Sequence, residues 1–82
     1  MKKETLEKIF EYASMPMHGT LSRKLRKDIS CQINEEKIYS DAVFFLGEEF
    51  VRVTETEDQE TINTYYAWDK IVSVRTIAGV KE

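Results

Sequence analysis

INEEKIYSDAVFFLGEEFVRVTETED, residues 33–58, is the stretch of this sequence that decides its fold. It contains two runs of β-forming residues, KIYSDAVFFL and FVRVTET, which are separated by Gly-Glu-Glu and flanked by further acidic residues. Phe44 and Phe45 are adjacent, so a strand through them carries one large ring on each face. Such a strand has to be covered on both faces, or it has to bend so that each half serves a different layer.

The chain before this stretch contains one segment with helical periodicity. In KETLEKIFEYASM the apolar residues recur at intervals of three and four, which predicts an amphipathic helix over about residues 4–14. The proline and glycine of MPMHG end this helix. Residues 15–28 are predicted to be a linker. Within it, residues 20–28 are compatible with one helical turn or with an extended lead-in to the first strand.

From residue 29 onward the period of the apolar residues changes to two, which is typical of half-buried strands. Five strands with short polar turns are predicted over about residues 29–77, and only Asp69-Lys70 joins the fourth strand to the fifth. Five strongly twisted antiparallel strands can curl into a small barrel, which removes most free edges. We therefore predict a mainly β fold, in which an N-terminal α-helix precedes a five-stranded, strongly bent antiparallel meander that closes into a small barrel. One of the two adjacent phenylalanines would enter the barrel interior, and the other would lie under the helix or in a subunit contact.

This succession of elements resembles the Sm-like (Lsm-type) small β-barrel family. KDISCQINEEKIYSDAVFFLGEEFVRV is similar to the first motif region of that family, and YYAWDKIVSVRTI is similar to its fourth and fifth strands. The resemblance implies the helix-plus-barrel fold over roughly residues 4–77. It also implies a non-catalytic binding module that binds RNA and a homo-oligomer joined edge to edge through the fourth and fifth strands. Asp69-Lys70 stands where the second motif of the family has Arg-Gly.

Charge is distributed unevenly along the chain. The net charge is −3, but residues 1–33 carry seven Lys and Arg against four Asp and Glu, whereas residues 34–82 carry five against eleven. An acidic total argues against indiscriminate nucleic-acid binding and still allows a local basic patch. The same asymmetry would favour head-to-tail self-association.

The basic run in the predicted linker is the strongest candidate binding site, because four cations fall within five positions. Such cations can contact phosphates, and a neighbouring aromatic ring can stack on a base of single-stranded RNA. The predicted nucleic-acid site consists of Arg23, Lys24, Arg26, Lys27 and Tyr39. The same cations could instead bind acidic loops of a neighbouring subunit or of a partner protein. A protein–protein adaptor or accessory subunit without a nucleic-acid role is therefore the alternative function.

Aromatic residues near the end of the chain form a second candidate surface, suited to a contact between subunits. The predicted homo-oligomer interface consists of Tyr65, Tyr66, Trp68, Ile71 and Val74. A packed core within a single chain is the competing explanation for the same residues.

No catalytic residue, metal site or cofactor is predicted. His18 is the single histidine, and nothing in the sequence places an orienting carboxylate and a nucleophile beside it. Met15 and Met17 could join it around a soft metal ion, but methionines that flank a proline are better explained by packing. The acidic residues at 55–60 lack the spacing of a calcium-binding loop.

The single cysteine and the short apolar runs indicate the cellular location of the protein. Cys31 alternates with Ile29 and Ile33, which predicts a buried, unreactive thiol, and one cysteine suits a reducing cytoplasm. The longest apolar run, AVFFL, is far shorter than the ~20 residues of a membrane span. We therefore expect a cytoplasmic protein without membrane contact.

Overall fold

The computed structural model describes residues 1–79 and shows a mainly β chain with one N-terminal helix. Helix α1 spans Lys3–Ala13, close to the predicted range. The strands are β1 (Ser14–Pro16), β2 (Ser22–Leu25), β3 (Ile29–Ile33), β4 (Ile38–Tyr39), β5 (Val43–Leu46), β6 (Phe50–Glu57), β7 (Glu60–Ala67) and β8 (Val74–Ala78), and a 3-10 turn covers Trp68–Lys70.

The strands form two antiparallel sheets. One sheet has the strand order β1-β2-β5-β6-β7, and the other has the order β4-β3-β8. Neither sheet closes on itself, since β7 lies at an edge of the first and β8 at an edge of the second. The prediction of antiparallel sheets after an N-terminal helix is thus confirmed, whereas a continuous closed barrel is not seen in the described part of the chain.

The predicted second strand, residues 38–46, crosses from one sheet to the other. Its first part, β4, pairs with β3, and its second part, β5, pairs with β2 and β6. Between them Asp41 has a φ of 57°, a left-handed conformation that interrupts the hydrogen-bonded ladder. Each half of the segment therefore serves a different layer, as the adjacent phenylalanines predict.

The interruption also reverses which side chains face the core. Tyr39 and Phe44 are five positions apart, so a continuous strand would place them on opposite faces. Both are buried in the same core, and Ile38 is instead 50% exposed. Strict alternation through residues 38–46 predicts Ile38 on the same face as Phe44 and Tyr39 on the opposite face, and this prediction is wrong for both residues because of the reversal at Asp41.

The segment predicted as a linker contains the hairpin of β1 and β2. Residues 22–25 are extended, because β2 pairs with β1 on one side and with β5 on the other. Leu25 is buried in the core, and its backbone N–H donates to the carbonyl of Ala42 at 2.9 Å. Of the two alternatives for residues 20–28, the extended one is therefore correct over Ser22–Leu25.

Helix α1 and both sheets contribute to one core. Phe44 is fully buried, and its ring centroid lies 5.1 Å from that of Phe10 on the helix. Phe45 lies on the opposite face of the sheet and is only half-buried. The helix thus covers the interior ring, Phe44, and not the outer one. The buried apolar residues are Leu6, Phe10, Ala13, Leu25, Ile29, Cys31, Ile33, Tyr39, Ala42, Phe44, Val51, Val53, Trp68 and Ile71.

Asn34, in the turn after β3, ties the segment before β8 to the rest of the fold. Its Nδ2 donates to the carbonyl of Lys70 at 2.9 Å. Its Oδ1 accepts hydrogen bonds from the backbone N–H groups of Val72 and Ser73 at 2.8 and 3.3 Å. Its backbone N–H donates to the carbonyl of Ser73 at 2.9 Å. Asn34 has a φ of 56°, a conformation that asparagine adopts more readily than most residues.

Within residues 1–79, no helix combines the length and the apolar character needed to cross a bilayer.

The two adjacent phenylalanines should differ sharply in their contribution to stability. We expect Phe44→Ala to lower the free energy of unfolding by about 3–5 kcal/mol, because it removes a fully buried ring. Phe45→Ala should cost about 1 kcal/mol, since its ring is only half-buried and contributes mainly its contacts with Phe50 and Arg52. Urea denaturation followed by circular dichroism measures both, and Phe44→Leu is a milder probe should the alanine variant be unfolded. Equal losses would contradict the assignment of the two faces.

Candidate binding surfaces

Arg23 lies at the C-terminal end of helix α1. The last turn of this helix contains no basic residue, so no side chain of the helix itself compensates the partial negative charge of its terminal carbonyls. The Nη2 atom of Arg23 donates to the carbonyls of Ser14 and Glu11 at 3.1 and 3.3 Å, and its Nε donates to Ser14 Oγ at 2.9 Å. The hydroxyl of Ser14 in turn donates to the carbonyl of Phe10. Arg23 therefore caps the helix from a neighbouring strand.

Arg26 completes this cap. Its Nε donates to the carbonyl of Tyr12 at 2.8 Å, and its backbone N–H donates to the carbonyl of Ala13 at 2.8 Å. Two of the four cations in the predicted nucleic-acid site thus have a structural role at the helix end. The favourable interaction of a cation with helix carbonyls accounts for both positions.

Lys24 and Lys27 lie with Arg26 around a groove at the edge of the larger sheet. The groove has a volume of about 490 Å³. Lys24 Nζ lies 3.5 Å from the carbonyl oxygen of Asp41, and both lysines are exposed. We call this the basic groove, and its lining residues are Met15, Pro16, Lys24, Leu25, Arg26, Lys27 and Asp41.

Tyr39 is not part of the basic groove. It is 2% exposed, its hydroxyl lies 2.8 Å from the hydroxyl of Tyr66, and Lys37 Nζ lies 5.9 Å from the centre of its ring. Burial, together with the hydrogen bond to Tyr39, raises the pKa of Tyr66 well above its usual value. Because the reversal at Asp41 turns Tyr39 into the core, it offers no face for stacking on a base. This corrects its assignment to the predicted nucleic-acid site.

The five residues of the predicted subunit interface divide into core and surface. Trp68 and Ile71 are 6% and 0% exposed, and Trp68 Nε1 donates to the carbonyl of Gly47 at 3.0 Å. Tyr66 and Val74 are half-buried and pack against the core. Tyr65 is 58% exposed. The competing explanation, a core within one chain, therefore accounts for Trp68 and Ile71, and Tyr65 is left on the surface.

The outward side of the larger sheet carries an aromatic cluster, of which only Tyr65 belongs to a predicted site. The strand register places Phe45 opposite Arg52, and Arg52 opposite Tyr65. The ring centroid of Phe50 lies 5.5 Å from that of Tyr65 and 6.4 Å from that of Phe45, and Arg52 Cζ lies 5.1 Å above the Phe45 ring. We call Phe45, Phe50, Arg52 and Tyr65 the aromatic face. Its signal in the sequence is the alternation of FVRV, which places Phe50 and Arg52 opposite the buried valines.

Cys31 is fully buried, as its alternation with isoleucine predicts. Burial raises the pKa of its thiol to about 11, so the thiol is protonated at neutral pH. Within residues 1–79, no group of three or more His, Cys, Asp or Glu side chains is arranged to hold a metal ion.

Comparison of the chain with protein-family models, with curated proteins and with solved structures finds no match. The functional interpretation therefore rests on three surfaces: the basic groove, the aromatic face and the free edges of β7 and β8.

The role of Arg23 as a helix cap predicts a specific loss of stability. We expect Arg23→Ala to lower the free energy of unfolding by about 1–3 kcal/mol, because three hydrogen bonds from a charged donor are lost. Lys27→Ala is the matched control from the same basic run, and its effect should stay within about 0.5 kcal/mol. Urea denaturation compares the two variants. Equal effects would show that Arg23 does not hold the helix end.

Proposed function

We propose that this protein is a non-catalytic binding module with an Sm-like small β-barrel fold, which self-associates through strand edges. The free outer edges of β7 and β8 carry this proposal. β7 has eight residues and β8 has five, and each has a partner on one side only among the described strands. Unpaired N–H and C=O groups along such edges are available to a strand of another chain.

The succession of strand pairs supports the Sm-like arrangement. The last strand, β8, returns to pair with β3, the first of the five predicted strands. β3 also pairs with β4, β5 pairs with β6, and β6 pairs with β7. These pairs join the first strand to the second, the second to the third, the third to the fourth and the fifth back to the first, and the bent segment 38–46 links the two layers. Among the described residues, β7 and β8 do not pair with each other. The hairpin of β1 and β2 is an addition to that scheme.

Pairing of β7 in one copy with β8 in the next would be head-to-tail. Such a contact joins two different surfaces, so it generates a ring when the rotation between copies closes. It also shields two edges that would otherwise invite uncontrolled pairing.

Edge pairing is tested with a charge on β8. Ile77 is 40% exposed on this strand, and we expect Ile77→Lys to disrupt association, because a lysine on an edge strand opposes strand pairing. Leu21→Lys is the control, since Leu21 is 84% exposed and lies outside both edges. Light scattering over a range of protein concentrations should give a multiple of the monomer mass for the wild type and for Leu21→Lys, and the monomer mass for Ile77→Lys. A monomeric wild type would refute self-association.

Single-stranded RNA is a second candidate ligand, and the aromatic face favours it. The charged strand residues on this side of the sheet are Lys24 and Arg52, because Glu55 and Glu57 alternate to the same side as the buried Val51 and Val53. Arg52 forms no ion pair within residues 1–79, and its Nε is buried without a hydrogen-bond partner there. The exposed ring of Tyr65 and the half-buried rings of Phe45 and Phe50 lie beside the cation of Arg52, and such a surface is suited to bases and phosphates.

Two tyrosines of equal exposure test this second candidate. Tyr65 is 58% exposed on the aromatic face, and Tyr12 is 57% exposed on helix α1. We expect Tyr65→Ala to weaken binding of an oligouridine of about 12 nucleotides by roughly tenfold, whereas Tyr12→Ala should leave it unchanged. Fluorescence anisotropy at about 50 mM salt measures the affinity. No binding by the wild type, or equal losses in both variants, would exclude this face as an RNA site.

A further inference from the structure

We infer that the basic groove binds an extended acidic peptide that carries an apolar anchor residue. This inference rests on the proposed role as a binding module and names the chemistry of one partner. Its lining contains no residue of β7 or β8 and none of the four residues of the aromatic face, although Lys24 points to the same side of the larger sheet as that face. Three observations carry it: the apolar floor of the groove, its positive rim and its position beside a free strand edge.

The floor of the groove is aliphatic. Leu25 forms its base at 2% exposure, and Met15, which is 52% exposed, and Pro16 form one wall. The lining contains no aromatic ring, since Tyr39 is turned into the core. Nucleic-acid bases stack on rings, whereas an aliphatic pocket is filled by an apolar side chain. The aliphatic character of the floor therefore favours a peptide over a single-stranded nucleic acid.

The rim of the groove is positive. Lys24, Arg26 and Lys27 line it, and among the described lining residues only Asp41 carries a carboxylate. Lys24 contacts the backbone carbonyl of Asp41, and neither lysine forms an ion pair within residues 1–79. In a chain with a net charge of −3, this local surplus of cations selects an acidic partner by charge complementarity.

β1, which contributes Met15 and Pro16 to the groove, has a free edge that an extended chain can use. β1 is the outermost strand of the larger sheet, and it pairs only with β2 among the described strands. β1 has only three residues, and Pro16 has no N–H to donate. The backbone groups of this edge alone therefore give little affinity. Peptides added to a sheet edge gain specificity from pockets for alternate side chains. The groove supplies such a pocket, and the cations of Lys24, Arg26 and Lys27 line it.

Binding is tested with a fluorescein-labelled peptide of about eight residues in which glutamate alternates with leucine. Two control peptides carry lysine in place of glutamate, or serine in place of leucine. Fluorescence anisotropy should show saturable binding of the glutamate–leucine peptide at about 50 mM salt, at least tenfold weaker binding of each control peptide, and weaker binding at about 500 mM salt. No binding of the glutamate–leucine peptide, or equal binding of the serine control, would overturn the inference.

Charge reversal locates the peptide on the protein. Lys24→Glu and Lys27→Glu should each weaken binding by roughly fivefold, whereas Lys8→Glu on helix α1 should leave it unchanged. Met15→Gln should weaken binding of the glutamate–leucine peptide and leave the residual binding of the serine control as it is. Equal effects of Lys8→Glu and Lys27→Glu would overturn the location, because general attraction would then explain the binding.

The association state separates this inference from the proposed function. Ile77→Lys, which removes the edge contact, should bind the peptide with unchanged affinity per chain. If Lys27→Glu instead converts an associated wild type to monomers, the groove binds the acidic residues 55–60 of a second copy, and the inference of a separate partner fails.

Discussion

The crossing of residues 40–42 from one sheet to the other is the constraint on which the rest of the structure depends. Asp41, in a left-handed conformation, ends one hydrogen-bonded ladder and allows the next to begin in another layer. Because it also reverses the alternation of side chains, Tyr39 and Phe44 both enter the core. Phe44 then contacts Phe10, which holds the helix over the sheets. Without this reversal, either a tyrosine or a phenylalanine would lose its place in the interior.

The end of the helix explains why the basic run is not a uniform patch. Successive residues of β2 point to opposite sides of the sheet, so Arg23 faces the helix and Lys24 faces outward. The two arginines neutralise the carbonyl end of α1, and the two lysines remain exposed. The positive character of the basic groove is therefore a local surplus left after the helix has been capped. The guanidinium groups, with several donors each, suit the capping role better than lysine would.

Sequence reasoning recovered the elements whose signal is local. The helix follows from its apolar stripe, and β3 follows from the alternation of Ile29, Cys31 and Ile33 with polar residues, which the structure confirms. The β1–β2 hairpin was missed because β1 has three residues and β2 has four, and long-range pairing with β5 holds them.

The reversal at Asp41 was missed because nothing in its neighbours marks a left-handed residue.

The functional residues were predicted less completely than the fold. The four cations are adjacent in sequence, but their roles depend on the distant helix end. Trp68 and Ile71 look like interface residues in the sequence because apolar residues of a core and of a contact share the same chemistry. The aromatic face combines side chains from three strands, so only the strand register brings it together.

The attachment of β8 has a consequence for the order in which the chain can become structured. Every hydrogen-bonded partner of β3 in β8 lies about 40 to 50 positions further along the chain, and Asn34 holds groups at a similar separation. During synthesis, β3 therefore emerges long before the strand that completes its sheet. The β6–β7 ribbon, by contrast, needs only its own two-residue reversal at Asp58 and Gln59. The nascent chain thus passes through an interval in which the edge of β3 that later pairs with β8 has no partner. An unpaired edge of this kind can pair with a wrong strand during that interval.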